Sequence, residues 1–543
     1  MKIFNHLPNY RYYDAEGTDS VPFDTKYDKL RNLCIYGNSV QDGTPTPETP
    51  IEIESVGEKT KNLLGAFTPS GNASVSEYYG NGFKATATVN TGGYGNYVRI
   101  PILNSSNIIW GKTYTVSCLV EQSNANMNPF MRVTYLNNSS NSHVDFKTTN
   151  VVNNNINSVT FTLPDEQPSN FGPKEGMGYG TYEIFLFFNI QRTALDDYGT
   201  IYVTDIMVNE GEYKPYEPYG KYKIPIKCSG KNILDNKLLL ATDTDNVDWD
   251  ITETGIRETK IGSGGYTQNV LYDITDLVKP NAIYYLHRDI EKNYKIIASA
   301  GESISGSLRI RVDGTIIDTI YSNQTDKMIQ IPSEYKTVEI TTYSTPANSS
   351  IENFDESITY YFEWKNLYLS EYPYMSYEPY QEPKTYNIFL DEPLRKAGDY
   401  ADCIDFKSGK LVRNIGVEIV SFSLYSFNAS NGQLYLRKNI SSMLPNSLDC
   451  ISNKIKTFKT FPGSADKSAL MVTGTGLYYF VIAEESEQQT YIDLLADTEI
   501  YFVLKTPIET EIDLPDIDLH KGTNIISVGT TTASSKIEVQ YLN

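Results

Sequence analysis

Short segments in which apolar and polar residues alternate recur along the whole chain. The alternation is clearest in SVTFTL (residues 158–163) and SLRIRV (residues 307–312). A period of two places every second side chain on one face of a strand, so one face is predicted to be buried and the other solvated. Clusters of Gly, Asn, Ser and Pro bound these segments, with no convincing amphipathic helix between them. The pattern predicts an all-β protein.

The middle of the chain contains two copies of one unit. The first opens with KNLL at residues 61–64 and closes with YEPY at 216–219, and the second opens with KNIL at 231–234 and closes with YEPY at 377–380. Repeats of this length are tandem domains, because solenoid repeats are shorter. Several short strands within about 150 residues predict a jelly-roll β-sandwich for each copy. We expect both copies to have the same strand topology.

Four regions follow from this organisation. We predict an extended N-terminal attachment arm over residues 1–60, a first sandwich over 61–220, a second sandwich over 221–389 and a C-terminal β-domain over 390–543. The fold class is therefore tandem jelly-roll sandwiches between an arm and a further β-domain.

The ends of the chain carry their own signals. Pro45, Pro47 and Pro50 favour an extended, stiff backbone, which fits either an arm that crosses a neighbouring subunit or a simple linker. The segment CIDFKSGKLVRNIG (403–416) predicts a hairpin that turns at 407–410. A turn at Gly522 and a last strand over 537–541 are predicted to finish the chain.

Charge narrows the classes of partner. Among 543 residues, 46 Lys and Arg stand against 67 Asp and Glu, which gives a net charge of −21. Such a charge repels nucleic-acid backbones and anionic lipid, so neither is expected as a partner. The chain also has 43 Tyr, which fits either wet, adhesive surfaces or the codon bias of an AT-rich genome.

Residues that could carry chemistry are scattered. Five Cys without a CxxC pair and four distant His predict neither a disulfide framework nor a zinc site, and most Cys are expected to be buried free thiols. The acidic run from Asp243 to Asp250 departs from the EF-hand pattern, and we interpret it as a solvated loop before the strand with Trp249. Trp364 is expected in a core, and the YEPY ends at domain borders. We predict no catalytic, cofactor-binding or metal-binding residues, and the sequence leaves any glycan-binding residues unknown.

The N-terminal segment lacks the apolar stretch of a signal peptide, and the longest apolar runs are too short to span a bilayer. We therefore expect synthesis and folding in a cytosol, unless a non-Sec route exports the protein, and we expect no membrane insertion.

Three phrases resemble sequences of tail-tip, baseplate and fibre proteins of phages that infect Gram-positive bacteria. They are GNSVQDGTPTPETPIEIESVGEKTKNLL, LDEPLRKAGDYADCIDFKSGKLVRNIG and IDLPDIDLHKGTNIISV, which together cover the N-terminal arm, the module borders and the C-terminal unit. The resemblance implies a structural protein of a phage tail or of a phage-like particle, with other tail or baseplate proteins as partners. It also implies a homotrimer, assembled in the host cytoplasm and located in the virion.

Each repeat also resembles the carbohydrate-binding jelly rolls that are attached to bacterial glycanases. The KNLL-type start, the VTFTLP strand and the GTIYVTDIMVNEG end carry this resemblance. It implies adhesion to host-surface glycans by stacking on aromatic side chains, without turnover. Two alternatives stay open: an architectural baseplate or fibre subunit that contacts only virion proteins, and a glycan-active hydrolase. Because the net charge is acidic, we expect neutral recognition that varies little with salt.

Overall fold

A computed structural model describes most of the chain. The described residues are 12–13, 30, 33–79, 81–87, 96–123, 129–140, 142–172, 183–190, 199–241, 243, 247–252, 254–260, 270–292, 296–297, 307–321, 323–343, 350–351, 358–374, 376–460, 469–519, 522–529 and 534–541. Strands dominate, and the fold is all-β, as predicted. Over these residues, no helix is long and apolar enough to cross a membrane.

The chain divides into two compact units. One comprises Ser55–Ile224 and Phe389–Leu394, and the other comprises Met1–Glu54, Pro225–Ile388 and Arg395–Asn543. The first sandwich belongs to the former unit, and the second sandwich and the C-terminal β-domain to the latter.

The first sandwich follows four short N-terminal strands. Those four are β1 (Tyr12–Tyr13), β2 (Cys34–Tyr36), β3 (Ser39–Gln41) and β4 (Ile53–Ser55). The strands that follow are β5 (Glu58–Lys59), β6 (Ser70–Gly71), β7 (Ser74–Tyr79), β8 (Gly82–Thr86), β9 (Tyr97–Asn104), β10 (Thr113–Gln122), β11 (Phe130–Leu136), β12 (His143–Asn150), β13 (Asn155–Thr162), β14 (Glu183–Asn189) and β15 (Thr200–Glu210). Two antiparallel sheets result, with the strand orders β7-β8-β15-β10-β13 and β6-β9-β14-β11-β12.

Alternation along these strands builds the core between the sheets. In β13, Val159 and Phe161 are buried while Ser158, Thr160 and Thr162 are exposed. Both residues join an apolar cluster to which both sheets contribute. The predicted burial of one face is confirmed here.

The second sandwich has its own strands. They are β16 (Tyr222–Gly230), which leads into it, and β17 (Val247–Ile251), β18 (Ile256–Lys260), β19 (Val270–Asp273), β20 (Ile283–Lys292), β21 (Ile296–Ile297), β22 (Ser307–Val312), β23 (Thr315–Ile320), β24 (Asp326–Gln330), β25 (Val338–Tyr343), β26 (Ser350–Ile351) and β27 (Tyr360–Ser370). A 3₁₀ turn spans Asn236–Leu238. The sheets have the orders β17-β18-β27-β20-β24 and β19-β25-β22-β23, and β21 pairs with β26.

The two sandwiches have the same strand order. β7, β8, β15, β10 and β13 correspond to β17, β18, β27, β20 and β24, and β9, β14, β11 and β12 correspond to β19, β25, β22 and β23. The predicted common topology is confirmed.

Two glycines show how closely the copies correspond. A Cβ added to Gly82 would lie 2.3 Å from the carbonyl oxygen of Val203, and one added to Gly255 would lie 1.8 Å from that of Trp364. Val203 and Trp364 therefore occupy equivalent positions. Trp364 is fully buried, as expected, and stacks on Trp249 with ring centroids 5.9 Å apart.

A buried asparagine explains the opening motif of the first copy. The Oδ1 atom of Asn62 accepts hydrogen bonds from the backbone N–H groups of Leu64 at 2.9 Å and Val208 at 3.1 Å. Its Nδ2 atom donates to the carbonyl oxygen of Glu217 at 3.0 Å. One side chain thus ties the opening segment, the last strand and the YEPY closing segment together.

Asn232 ties the opening segment to the last strand in the second copy. Its Oδ1 atom accepts from the N–H groups of Leu234 and Leu369, both at 3.1 Å, and its Nδ2 atom donates to the carbonyl oxygen of Leu367 at 3.0 Å. Both asparagines are almost fully buried. We call these two side chains the asparagine clamps.

The closing motifs also bind border segments. In the first copy, Glu217 accepts from the backbone N–H of Lys61 at 2.7 Å and pairs with Lys223. In the second copy, Glu378 accepts from the backbone N–H of Thr523 at 2.9 Å and from its hydroxyl at 2.8 Å. The expectation that YEPY lies at a domain border agrees with these contacts.

The C-terminal domain is a further pair of sheets. Its strands follow β28 (Lys384–Leu390) and are β29 (Lys396–Ala397), β30 (Tyr400–Ala401), β31 (Cys403–Asp405), β32 (Lys410–Val420), β33 (Ser423–Asn428), β34 (Gln433–Asn439), β35 (Cys450–Ser452), β36 (Thr457–Thr460), β37 (Ala469–Thr473), β38 (Gly476–Ile482) and β39 (Thr498–Glu511). A 3₁₀ turn (Glu485–Glu487) and a short helix, α1 (Gln488–Leu494), precede β39. The orders are β2-β31-β32-β39-β35 and β33-β34-β38-β37-β36. The predicted hairpin is confirmed by the pairing of β31 with β32.

The predicted arm lies on its own chain where it is described. β2 pairs with β31, so that Ile35 faces Ile404. Farther along, the Gln41 side chain donates to the carbonyl oxygen of Ser452 at 2.6 Å, and the N–H of Ile51 donates to that of Asn453 at 2.8 Å. Residues 33–54 are therefore part of the C-terminal β-domain, in place of the subunit-crossing arm or simple linker considered from the sequence. Most of residues 1–32 lie outside the described part.

The end of the chain also differs from expectation. β40 (Gly522–Gly529) and β41 (Ser534–Tyr541) form a hairpin in a sheet of order β1-β41-β40-β16-β28. β40 pairs with β16, with Val528 opposite Ile226. The predicted last strand is confirmed within β41, but Gly522 begins a strand rather than a turn. The hairpin adds its strands to the sheet beside β16, the strand that leads into the second sandwich. An edge strand has unpaired backbone N–H and C=O groups, which can bind a further strand.

Replacing a clamp asparagine should destabilise its own sandwich. Asn62→Ala or Asn232→Ala would leave buried backbone groups without partners, at a cost of at least about 2 kcal/mol. We expect the thermal transition of the affected sandwich to fall by about 5 °C or more in scanning calorimetry.

Asn150→Ala, at an exposed position of β12, is the matched control and should leave both transitions in place. Unchanged transitions in both clamp variants would contradict the assigned role.

Candidate functional site

The solvent-facing side of the sheet β6-β9-β14-β11-β12 carries a cluster of aromatic and cationic residues. Its strands direct Ile184, Leu186 and Phe188 into the core, so the alternate residues Phe185 and Phe187 face outward. The cluster consists of Tyr97 and Arg99 on β9, Arg132 on β11, His143 on β12, and Phe185, Phe187 and Asn189 on β14. We call this set the aromatic platform.

Two phenylalanines form the floor of the platform. Phe187 is 1% exposed and Phe185 is 7% exposed, although both point away from the core. Tyr97 lies beside Phe187 with ring centroids 5.4 Å apart and the planes inclined by 31°. The rings of Phe185 and Phe187 thus make a second apolar layer, which neighbouring side chains cover almost completely, and Tyr97 is the half-buried ring beside them.

Strand register places an arginine on each side of Phe187. Arg99 is its cross-strand neighbour on β9, and Arg132 is its neighbour on β11. The Arg132 guanidinium carbon lies 4.8 Å from the centroid of the Phe187 ring, and that of Arg99 lies 5.2 Å from the Phe185 ring. Both distances are those of cation–π interactions, in which a guanidinium is attracted to the face of an aromatic ring.

The two arginines differ in their partners. Arg132 pairs with Asp145 at 3.3 Å. Arg99 donates from Nε to the Ser70 hydroxyl at 3.1 Å, and its Nη1 lies 3.5 Å from Nε2 of His143. Both contacts of Arg99 are with neutral groups.

His143 is held as a neutral imidazole. Arginine only donates, so Nε2 of His143 is the acceptor and Nδ1 carries the proton, which it shares with the Thr134 hydroxyl at 3.2 Å. Burial and the nearby Arg99 and Arg132 charges lower the pKa of His143 from 6.5 to about 4. Its ring packs edge-on against Phe187 with centroids 4.3 Å apart.

Two buried polar atoms of the platform have no hydrogen-bond partner in the described structure: Oδ1 of Asn189 and Nε of Arg132. Buried polar groups are normally satisfied, so an unpaired acceptor and an unpaired donor on one face deserve an explanation. The surface that a ligand can reach is the half-buried ring of Tyr97 beside the guanidinium of Arg99, which suits a flat ligand with apolar faces and polar edges.

The corresponding face of the second sandwich has a different character. Its described side chains include Arg309, Arg311, Glu339 and Thr341, and Arg311 stands directly opposite Glu339. Unlike charges in cross-strand positions attract each other, and no carboxylate stands opposite Arg99 in the first sandwich. The two copies therefore share the strand order of their sheets but differ in the residues on this outer face.

A broad groove of about 1340 Å³ lies at the base of the first sandwich. It is lined by the opening and closing segments, including Lys61, Glu210 and Tyr219. The Lys61 ammonium is paired with Glu58 at 3.2 Å, and Glu210 is paired with Lys112 at 2.7 Å. Because these charges are already neutralised, we favour the platform as the binding site.

Other residues singled out in the sequence are structural. Asp243 accepts from the backbone N–H of Trp249 at 2.7 Å, and Asp248 and Asp250 are exposed; residues 244–246 lie outside the described residues. In the part of the chain that is described, no group of three or more His, Cys, Asp or Glu could hold a metal ion. All five cysteines are free, and Cys118 and Cys228 are buried, whereas the other three are half-buried.

Sequence reasoning missed the platform. The run YEIFLFF (182–188) has apolar residues at both parities, which a strand with one solvated face does not need. A second signal was the single arginine between apolar residues in each of YVRIPI and FMRVTYLN. Their meaning depends on β9 and β11 both lying next to β14, which only the fold reveals.

No protein-family model matches the chain, and no curated protein matches it in sequence. Among solved structures it is similar to a tandem CBM22-1–CBM22-2 domain from Paenibacillus barcinonensis Xyn10C, with 10% identity, coverage of 58% of this chain and 98% of that one, and a TM-score of 0.22. It is also similar to the N-terminal cellulose-binding domain of Cellulomonas fimi β-1,4-glucanase C (14% identity, coverage of 29% and 99%, TM-score 0.21). A third is the enzymatically active domain of tailspike protein 4 of bacteriophage CBA120 (12% identity, coverage of 32% and 21%, TM-score 0.16).

The lowered pKa of His143 makes stability depend on pH. The unfolded chain binds a proton near pH 6.5, but the folded platform binds it only near pH 4. Stability should therefore fall as the pH drops from about 6.5 towards 4, because the unfolded state binds more protons there. Melting of the wild type and of His143→Gln at pH 7 and pH 5 measures the effect, and the variant should lose less stability.

Between pH 8 and pH 7 the two proteins should change alike, since His143 is neutral in both states over most of that range. An equal loss for both proteins between pH 7 and pH 5 would contradict the assigned neutral state.

Proposed function

We propose that this protein is a structural protein of a phage tail or baseplate that adheres to host-surface glycans through its first sandwich. The aromatic platform carries the proposal. It combines the half-buried ring of Tyr97 with the guanidinium donors of Arg99 on one sheet face. The sequence phrases that resemble tail-tip, baseplate and fibre proteins support the location.

The chemistry of the platform suits a sugar ring. Pyranose rings have one face of C–H groups that packs on an aromatic ring, and hydroxyl groups around the edge that need hydrogen bonds. Tyr97 is the half-buried ring of the platform, and Arg99, two positions along β9 on the same face, supplies donors beside it. Stacking of this kind contributes about 1 kcal/mol beyond the area that it buries.

Adhesion by such a site is weak and gains strength by repetition. A single shallow site with a dissociation constant near about 1 mM corresponds to only about 4 kcal/mol. Several copies on one particle multiply that affinity, while each contact stays reversible. We therefore include in the proposal a homotrimeric assembly, other tail or baseplate proteins as partners, and binding without turnover.

A second candidate function is purely architectural, and the second sandwich favours it. On the outer face of its sheet β17-β18-β27-β20-β24, Arg257 donates to Glu363 at 2.7 Å and Tyr361 donates to Glu291 at 2.5 Å, while Lys365 pairs with the same Glu291. A face whose charges are paired with one another is suited to a module that separates other domains or that contacts other proteins. The second sandwich would then position the first.

Glycan arrays and host-cell binding test the adhesive function. We expect wild-type protein to bind a host-surface glycan weakly and to release no sugar fragments. Tyr97→Ala should weaken binding about tenfold, since the loss of one stacking ring corresponds to about 1.4 kcal/mol.

The matched control is Tyr321→Ala, which removes a 44%-exposed tyrosine from the second sandwich and should leave binding unchanged. An equal loss in both variants, or no binding to any host glycan, would favour the architectural function. Released fragments would indicate a hydrolase.

A further inference from the structure

The platform carries a positive charge on a strongly acidic protein. The whole chain has a net charge of −21, yet one arginine lies on each side of Phe187. Asp145 neutralises Arg132, but within the described residues no carboxylate pairs with Arg99. Maintaining an unneutralised guanidinium there has no evident benefit for folding.

Contacts within the platform restrict the Arg99 side chain before any ligand binds. Its Nε donates to Ser70, its Nη1 contacts His143, and its guanidinium carbon lies 5.2 Å from the centroid of the Phe185 ring. These contacts reduce the rotamer freedom of the side chain before a ligand arrives, so less entropy is lost on binding. Within the described residues its Nη2 makes no hydrogen bond and remains for a ligand.

The state of His143 agrees with this electrostatic picture. The imidazole is neutral and accepts from Arg99, so it orients the guanidinium and adds no charge that would need a counter-ion. The lowered pKa of His143, caused by burial and then by the two arginines, is consistent with a positive potential at this spot.

The second sandwich provides an internal comparison. There Arg311 on β22, the strand that corresponds to β11, stands opposite Glu339 across the sheet. In the first sandwich, the residue opposite Arg99 is Phe187, with Ser70 on the other side. A carboxylate thus stands across from an arginine on one outer face, whereas no carboxylate stands across from Arg99 on the other.

We propose that the platform recognises an acidic glycan, in which a carboxylate or phosphate group binds Arg99 while the sugar ring packs on Tyr97. This inference rests on the proposed glycan adhesion and deepens it. Arginine matches both anionic groups because its planar fork can donate two parallel hydrogen bonds. The net charge of the chain predicts neutral recognition, but a local guanidinium within contact distance outweighs distant charges that salt screens.

Isothermal titration of the full chain with three defined probes tests the proposal. The probes are trigalacturonate, its neutral counterpart galactotriose, and an oligomer of glycerol phosphate. We expect at least about tenfold tighter binding of an acidic probe than of the neutral one, which corresponds to about 1.4 kcal/mol. The preference should shrink between 50 mM and 500 mM salt, since exposed ionic contacts are screened. Binding of trigalacturonate alone would indicate an acidic polysaccharide, and binding of glycerol phosphate would indicate a phosphate-bearing wall polymer.

Three variants separate charge from folding. Arg99→Gln should abolish the acidic preference, and Arg99→Lys should retain part of it because the charge remains without the fork. Arg311→Gln in the second sandwich is the matched control and should change nothing. Melting curves establish that each variant is folded. If Arg99→Gln does not fold, Arg99→Lys tests the acidic preference in its place.

The outcomes distinguish the two proposals. Equal affinity for neutral and acidic probes, both weakened by Tyr97→Ala, would overturn the acidic preference and leave glycan adhesion standing. No binding of any probe or host glycan would overturn both. A preference that survives in Arg99→Gln would also overturn the role of Arg99.

Discussion

The asparagine clamps are the interaction on which both sandwiches depend. A jelly roll must fix its opening segment to its last strand, although the two are far apart along the chain. Asn62 and Asn232 do this with a single amide, whose oxygen accepts two backbone N–H groups and whose nitrogen donates to a carbonyl. Because both amides are buried, water cannot replace these bonds, and the repeated KN motif follows from that constraint.

With the ends of each sandwich fixed, the outward faces could diverge. The strand orders of the two copies are the same, and equivalent positions such as Val203 and Trp364 both lie in the core. The outer faces differ, with an aromatic platform around Phe187 in one copy and Arg311 opposite Glu339 in the other. Core positions are constrained by packing against both sheets, whereas most outward positions are constrained less. Duplication followed by surface change is therefore a physically inexpensive route to two modules with the same core and different outer faces.

Local geometry also matters more than net charge at the platform. A formal charge of −21 describes the long-range field of the protein, which salt attenuates over roughly 10 Å. Arg99 and Arg132 act at contact distance, and aromatic rings beneath them keep them in place. The composition argument against anionic partners concerns the long-range field and does not describe the potential at contact distance from Arg99.

The sequence by itself determined the class of fold, the duplication and much of the core. Alternation in SVTFTL and SLRIRV requires a half-buried strand, and the repeated motifs mark the same topology twice, because these signals are local and depend on backbone geometry alone. Only the tertiary structure decided which strands, and therefore which side chains, lie next to each other. It placed residues 33–54 in the C-terminal β-domain, paired β40 with β16, and set Arg99 and Arg132 on either side of Phe187. Those outcomes depend on pairing between strands that are distant along the chain, and no local pattern specifies which strand becomes the neighbour of which.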